Sequence, residues 1–211
     1  MGLQYIAIYA TDTIADWEYS YLTAYVANFN QMKPGHLHIL WVGDGLAPVH
    51  SLGGMEVTPT ADLDELDNLP VAALMIPGGD TYHAGHERLL GSVEKLMARQ
   101  IPVAAICGGT TVLARAGVLN DRKHTSNAPE FLQADEYTGA AHYVEAPAVT
   151  DQGVITAGGI HAVPFTAAIM RAVGFAPEPV IANWEKLFTS GNRQFFTKFS
   201  EAMVAWLHTE P

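Results

Sequence analysis

Three apolar runs in this chain each end on glycine, and that pattern constrains its fold most. Residues 71–76 run into Pro77-Gly78-Gly79-Asp80, residues 102–106 into Cys107-Gly108-Gly109, and residues 154–157 into Gly158-Gly159. A short unbroken apolar run closed by glycine is how a strand buried on both faces reads. Between the runs lie segments of helical period. Ile14, Trp17, Tyr21, Tyr25 and Phe29 form one, Leu89, Leu90, Val93, Leu96 and Met97 another, and residues 110–116 a third that stops near Gly117. Strand and helix in alternation predict an α/β fold, a mostly parallel sheet with helices on both faces. Residues 3–9, 36–42 and 144–149 read as further strands, and residues 48–59, around Gly53-Gly54, as a hairpin-like excursion. Asp12 or Thr13 is expected to cap the first helix, and Pro164 marks a late helix start.

The tail changes character. Val180, Ile181, Trp184, Leu187 and Phe188 form one helical stripe, and Phe195, Phe196, Phe199, Met203 and Trp206 a second. Two C-terminal helices are expected, packed on the sheet layer or across a dimer, with plain core packing the simpler reading. The predicted division is an α/β domain over residues 1–176 and a helical extension over 177–211 packed on the same domain.

With 211 residues, 49% of them hydrophobic, the chain can bury a substantial core. No stretch reaches the ~18–20 continuous apolar residues of a membrane span, so no membrane partner is expected. Residues 1–10 read as a buried strand rather than a signal peptide. A net charge of −11 with only 11 Lys+Arg and no basic cluster argues against nucleic acid. The single cysteine excludes an intrachain disulfide and fits a reducing, cytoplasmic setting. No phosphate or dinucleotide fingerprint is present, so no cofactor is expected. His36 with His38, and His83 with His86, have spacings that could pair two metal ligands. Neither pair has a third ligand, so they read as surface histidines and no metal is expected.

Ligands of open α/β sheets sit beyond the carboxyl ends of the strands, where all three glycine loops are placed. Cys107, pinched between a buried strand and a helix, has the setting of a nucleophile elbow, with Ala105 and Gly109 relieving the crowding. The following helix would aim its N-terminus at the sulfur, which lowers a thiol from its ordinary ~8.5. The Gly108 N–H, with a second donor from Gly78-Gly79, could hold an oxyanion. His161, at the carboxyl end of a strand on the same edge, is a candidate base. On pattern alone, a functional Cys107 and a small buried structural one both stand.

Taken in order, Asp16-Trp17-Glu18, Pro77-Gly78-Gly79-Asp80, residues 103–110, Lys123-His124-Thr125-Ser126-Asn127 and residues 155–159 resemble the ThiJ/PfpI superfamily of glutamine-amidotransferase-like proteins over about residues 3–172. The resemblance implies a flavodoxin-like three-layer sandwich and a homodimer. It also implies that Glu18 reaches Cys107, where a protonated carboxyl could bond the thiolate, and that His124, in a loop near the site, is a second candidate base beside His161. Family members are often described as intracellular proteases or amidases. This sequence departs from the protease pattern by placing Gly108 directly after the nucleophile, where those enzymes have histidine. It departs from the glutaminase pattern at Ala105, and His161-Ala162-Val163 carries no acid.

The expected function is therefore a cysteine-dependent hydrolase or lyase, amidase-like, acting through Cys107 on a small carbonyl or amide substrate. Gly79 and Gly108 would hold the oxyanion, and Glu18 with a histidine would move protons. The alternatives are a non-catalytic redox-responsive protein using the same sulfur and a glutaminase-like subunit.

Overall fold

A computed structural model describes residues 2–35 and 37–209. Among them, β1 (Gln4–Ala10) leads into α1 (Asp16–Met32) and β2 (Leu37–Gly43). The short strands β3 (Val49–His50), β4 (Glu56–Val57) and β5 (Ala61–Asp62) precede β6 (Val71–Ile76) and α2 (Glu87–Ala98). Then come β7 (Val103–Ile106), α3 (Thr110–Arg115), β8 (Ala148–Asp151), β9 (Val154–Ala157) and α4 (Ala162–Ala172), and finally α5 (Glu178–Ser190) and α6 (Arg193–Leu207).

One sheet has the order β5-β2-β1-β6-β7-β9-β8, parallel throughout except for β8 on β9. This is the flavodoxin-like arrangement. Because β1 pairs with β2 on one side and β6 on the other, the strand order reverses between β1 and β6. Crevices open at such switch points, and the three glycine loops follow β6, β7 and β9 at that same edge.

Side chains alternate across the sheet as the pleat requires. Ala7, Tyr9, Leu74, Ile76, Val103 and Ala105 pack with Leu89, Val93 and Leu96 of α2 and Val112 and Leu113 of α3. Ile6, Ile8, Met75, Ala104 and Ile106 pack with Leu22 and Val26 of α1 and Phe165 and Ile169 of α4. The predicted excursion is a separate antiparallel pair, Val49 opposite Val57 and His50 opposite Glu56. Trp184 of α5 is buried edge-on against Tyr21 and Tyr25, at 6.0 and 5.1 Å between ring centroids. Met203 and Trp206 of α6 pack around Phe29. Among the described residues no helix is long and apolar enough to cross a membrane.

Three expectations shift. The strand expected over 144–149 begins only at Ala148, after Pro147, which has no N–H to give a ladder. The strand expected over 36–42 is described from Leu37; His36 lies outside the described residues, and with it the His36–His38 pair. The third concerns the start of α1, whose N-cap is Ala15, with no side-chain cap. Asp12 instead accepts the His50 N–H at 2.9 Å, and Thr13 Oγ1 accepts the Asp80 N–H at 2.8 Å. The Ala15 N–H donates to Gly78 O at 3.0 Å. The residues before α1 are thus spent on tying the β6 loop and the hairpin to the helix that carries Glu18.

Candidate active site

Cys107 follows β7 directly and sits at φ +55°, in the left-handed region. A non-glycine residue there costs about 1–3 kcal/mol and persists only where its surroundings impose it. Those surroundings are backbone. A Cβ at Gly108 would collide with the Gly79 carbonyl, and one at Gly109 with the Ile76 carbonyl. The turn can close only with glycine at both positions, and closing it turns the sulfur out of the sheet edge. Thr110 Oγ1 secures the turn, donating to Cys107 O at 2.6 Å.

Glu18, one turn into α1, is completely buried. The Gly78 N–H donates to its Oε2 at 2.5 Å, while Oε1 has no hydrogen-bond partner among the described residues. A Cβ at Gly159 would lie 2.9 Å from Cys107 Sγ and 3.0 Å from Glu18 Oε1. One at Gly78 would lie 2.6 Å from Glu18 Oε2 and 2.8 Å from Cys107 Cβ. Carboxyl and thiol therefore border the same small space, kept open by the glycines on either side.

Burial raises the Glu18 carboxyl to about 7, against the Gly78 N–H, which pulls the other way. Burial likewise pushes the Cys107 thiol up, and the Glu18 charge adds to this. A hydrogen bond from Asn127 and the Gly108 N–H pull it back. The lowering expected from a helix N-terminus is thus opposed. The helix after the turn has only six residues, too few for a full dipole, and the neighbouring carboxylate acts against it when charged. A proton on Glu18 removes that repulsion.

The remaining predicted residues are placed as follows. The Gly78 N–H is taken by Glu18, which leaves the Gly79 and Gly108 amides as the candidate oxyanion donors. His161 stands at the N-cap position of α4, two residues after Gly159, half-buried on the expected edge and with no side-chain bond to the helix. His124 is completely buried. Its Nδ1 pairs with Arg122 O and its Nε2 with Tyr137 Oη, both at 2.8 Å. Burial lowers its pKa, which favours the neutral ring, and both ring nitrogens are engaged. His86, of the other pair, is bonded to Tyr9 Oη at 2.9 Å and Thr81 Oγ1 at 3.1 Å. Sequence reasoning missed Asn127 as a site residue: its Nδ2 donates to Cys107 Sγ at 3.3 Å.

A family model described as the DJ-1/PfpI family matches residues 4–172. A Bacillus subtilis protein named "Uncharacterized protease YoaZ" is 32% identical over 202 residues, covering 93% of this chain and 96% of its own. A shorter match, 27% identical over 128 residues and covering 59% of this chain and 67% of its own, is a "Glutathione-independent glyoxalase DJR-1.2" of Caenorhabditis elegans. Among solved structures, a thiJ/pfpI family protein from Bacillus anthracis superposes with a TM-score of 0.84 at 28% identity, covering 96% of this chain and 99% of its own. The DJ-1 superfamily protein Atu0886 from Agrobacterium tumefaciens gives 0.78 at 34% identity, covering 90% and 100%.

Proposed function

The chain belongs to the DJ-1/PfpI family, and from that premise we propose that it is a cysteine-dependent enzyme acting on the carbonyl carbon of a small aldehyde or amide. The observation that carries this is the pairing of Cys107, held at φ +55° on its turn, with a buried carboxyl that titrates near neutrality. A thiol and a carboxyl sharing one space hold their protons jointly. Between its two titration steps the pair holds one proton to exchange. In the attack the S–H bond breaks and the proton passes to Glu18 Oε1, the oxygen without a partner. The sulfur pair forms the S–C bond, and the carbonyl π electrons move onto oxygen, towards the Gly79 and Gly108 N–H groups. Glu18 then returns the proton: to that oxygen for an aldehyde, giving a hemithioacetal, or, for an amide, to the nitrogen as the carbonyl re-forms and the C–N bond breaks, leaving a thioester that water hydrolyses to free the thiol.

A relative named as a glyoxalase supports the aldehyde branch, and one named as a protease the amide branch. The test offers the purified protein 2-oxoaldehydes, small amides and peptides. Turnover of at least one class is expected. It should vanish in Cys107→Ser and fall about 10²–10⁴-fold in Glu18→Gln, the range for losing a positioned acid–base group. Wild-type protein that turns over none of them, while peroxide oxidises the sulfur, would shift the reading to a redox-responsive protein.

A further inference from the structure

We propose that Asn127 is the positioning residue for the Cys107 sulfur: its side-chain amide, locked in one orientation by Gly159, holds the thiolate in place of a histidine. The lock is chemical. The Gly159 N–H, 2.8 Å from Asn127 Oδ1, can only donate, so the amide oxygen must face it. The NH₂ group then has one place to go, onto Sγ at 3.3 Å. Gly159 is itself held from the other side, its carbonyl accepting the Trp17 indole N–H at 2.9 Å.

The segment that presents Asn127 is stitched to the sheet edge. The Thr125 N–H donates to Thr156 Oγ1 at 2.9 Å, and Ser126 Oγ lies 2.7 Å from Thr110 Oγ1, the hydroxyl that secures the cysteine turn. Beneath them, His124 is fixed through both ring nitrogens. A side chain held by such a supporting layer can keep its geometry to the precision a reacting atom needs.

The charged and titratable groups felt at the sulfur are Glu18 from α1 and, through its own raised pKa, the buried Tyr82 phenol that follows the β6 loop. An amide does not titrate. The pH dependence of the sulfur's reactivity should therefore follow the Cys107–Glu18 pair, whose carboxyl step lies at about 7, and Asn127 should set its level without adding a step of its own.

The inference rests on the nucleophilic reading of Cys107, and its test is independent of turnover. Cys107 is the only cysteine in the chain, so iodoacetamide alkylation reports on it without ambiguity. Rates from about pH 5 to about pH 10 are compared for wild type, Asn127→Ala and Asn127→Asp. Asn127→Ala should raise the inflection by about one pH unit, a roughly tenfold slower reaction below it. That is the lower end for a hydrogen bond to a charged group, because Asn127 is exposed and water competes. Asn127→Asp keeps the shape and the Gly159 acceptor but sets a carboxylate against the sulfur, so it should raise the inflection further. A merely structural role would lower thermal stability without this ordering. Unchanged inflections in both variants would overturn the proposal. If Asn127→Ala fails to fold, the near-isosteric Asn127→Asp decides alone. If the wild type turns over no carbonyl substrate, the alkylation profile still decides for or against Asn127.

Discussion

A carboxyl group with no solvent around it binds its proton more tightly than the same group in an unfolded chain. Burial takes Glu18 from 4.5 to about 7. Between those values the native state holds a proton that the unfolded state has released, so unfolding is favoured as pH rises. This contribution is fully present below pH ~4.5 and is lost as pH climbs through ~7. Glu18→Gln should remove it. Its stability relative to wild type should therefore rise between about pH 4.5 and about pH 8, by on the order of 3 kcal/mol, as read from urea midpoints. A parallel pH dependence in the two proteins would show that Glu18 ionises freely in the fold. Gly159→Ala is the steric counterpart. Its methyl would sit 2.9 Å from the sulfur, so alkylation should slow at least about tenfold at every pH while the far-UV spectrum is kept. Cys107 and Glu18 were legible because a lone cysteine between an apolar run and a glycine pair, and an acid after Asp16-Trp17, carry a recognisable resemblance. Asn127 is not, although it lies in one of the segments that carry the resemblance. An asparagine in a loop reads as turn chemistry, and nothing local shows that its amide meets a sulfur 20 residues back. Nor could a sequence show that both nitrogens of His124 are engaged, one of them by a phenol 13 residues away.

Strands buried on both faces were easy to read, since β6, β7 and β9 have nothing but apolar or small side chains to show. The long connection from α3 to β8 was not, because residues 116–147 lack any period and hold their shape by scattered bonds. One is the bridge of His124 with Tyr143, another the Asn120 amide on Glu136 O at 2.9 Å. The C-terminal helices lie between these cases. Their stripes are visible, but not what they cover: α5 packs on α4, with Ile181 and Trp184 beside Phe165 and Met170, and both helices reach α1 through Tyr21, Tyr25 and Phe29. Trp184 is the largest fully buried side chain. Trp184→Ala should cost about 3–5 kcal/mol, the usual loss for a buried tryptophan. Calorimetry would show this as a large drop in Tm. Alkylation of Cys107 in the folded variant should stay near the wild-type rate, because the ring of Trp184 packs on Tyr21 and Tyr25 of α1 rather than on the cysteine turn. A small loss would mean that α5 and α6 are only loosely applied to the domain.

Several large apolar side chains remain in water at the edge of the sheet that carries the site. Ile160 is 90% exposed, and Trp17, Leu52 and Met55 are each about half exposed. Hydrogen bonds tie them into one neighbourhood. Trp17 bonds the carbonyl of Gly159, next to Ile160, and the hairpin tip joins the start of α1 through the Leu52 N–H on Ile14 O at 3.0 Å and the Gly53 N–H on Asp16 at 2.7 Å. Monomers seldom leave more than a few hundred Å² of contiguous apolar surface uncovered, and a stable dimer needs about 800 Å² from each partner. A second copy of the chain is expected to cover this face. Two copies also bring together two net charges of −11. Long-range electrostatics therefore opposes association, and apolar burial must overcome it. The sign of the salt effect follows: screening should tighten the dimer, the reverse of an interface held by ion pairs. Sedimentation velocity at micromolar concentration should give a dimer whose dissociation constant falls as salt rises. Ile160→Lys combined with Leu52→Lys should give a folded monomer. A wild-type monomer at low and high salt alike would leave this apolar rim facing substrate rather than a partner, and the homodimer expectation would be lost.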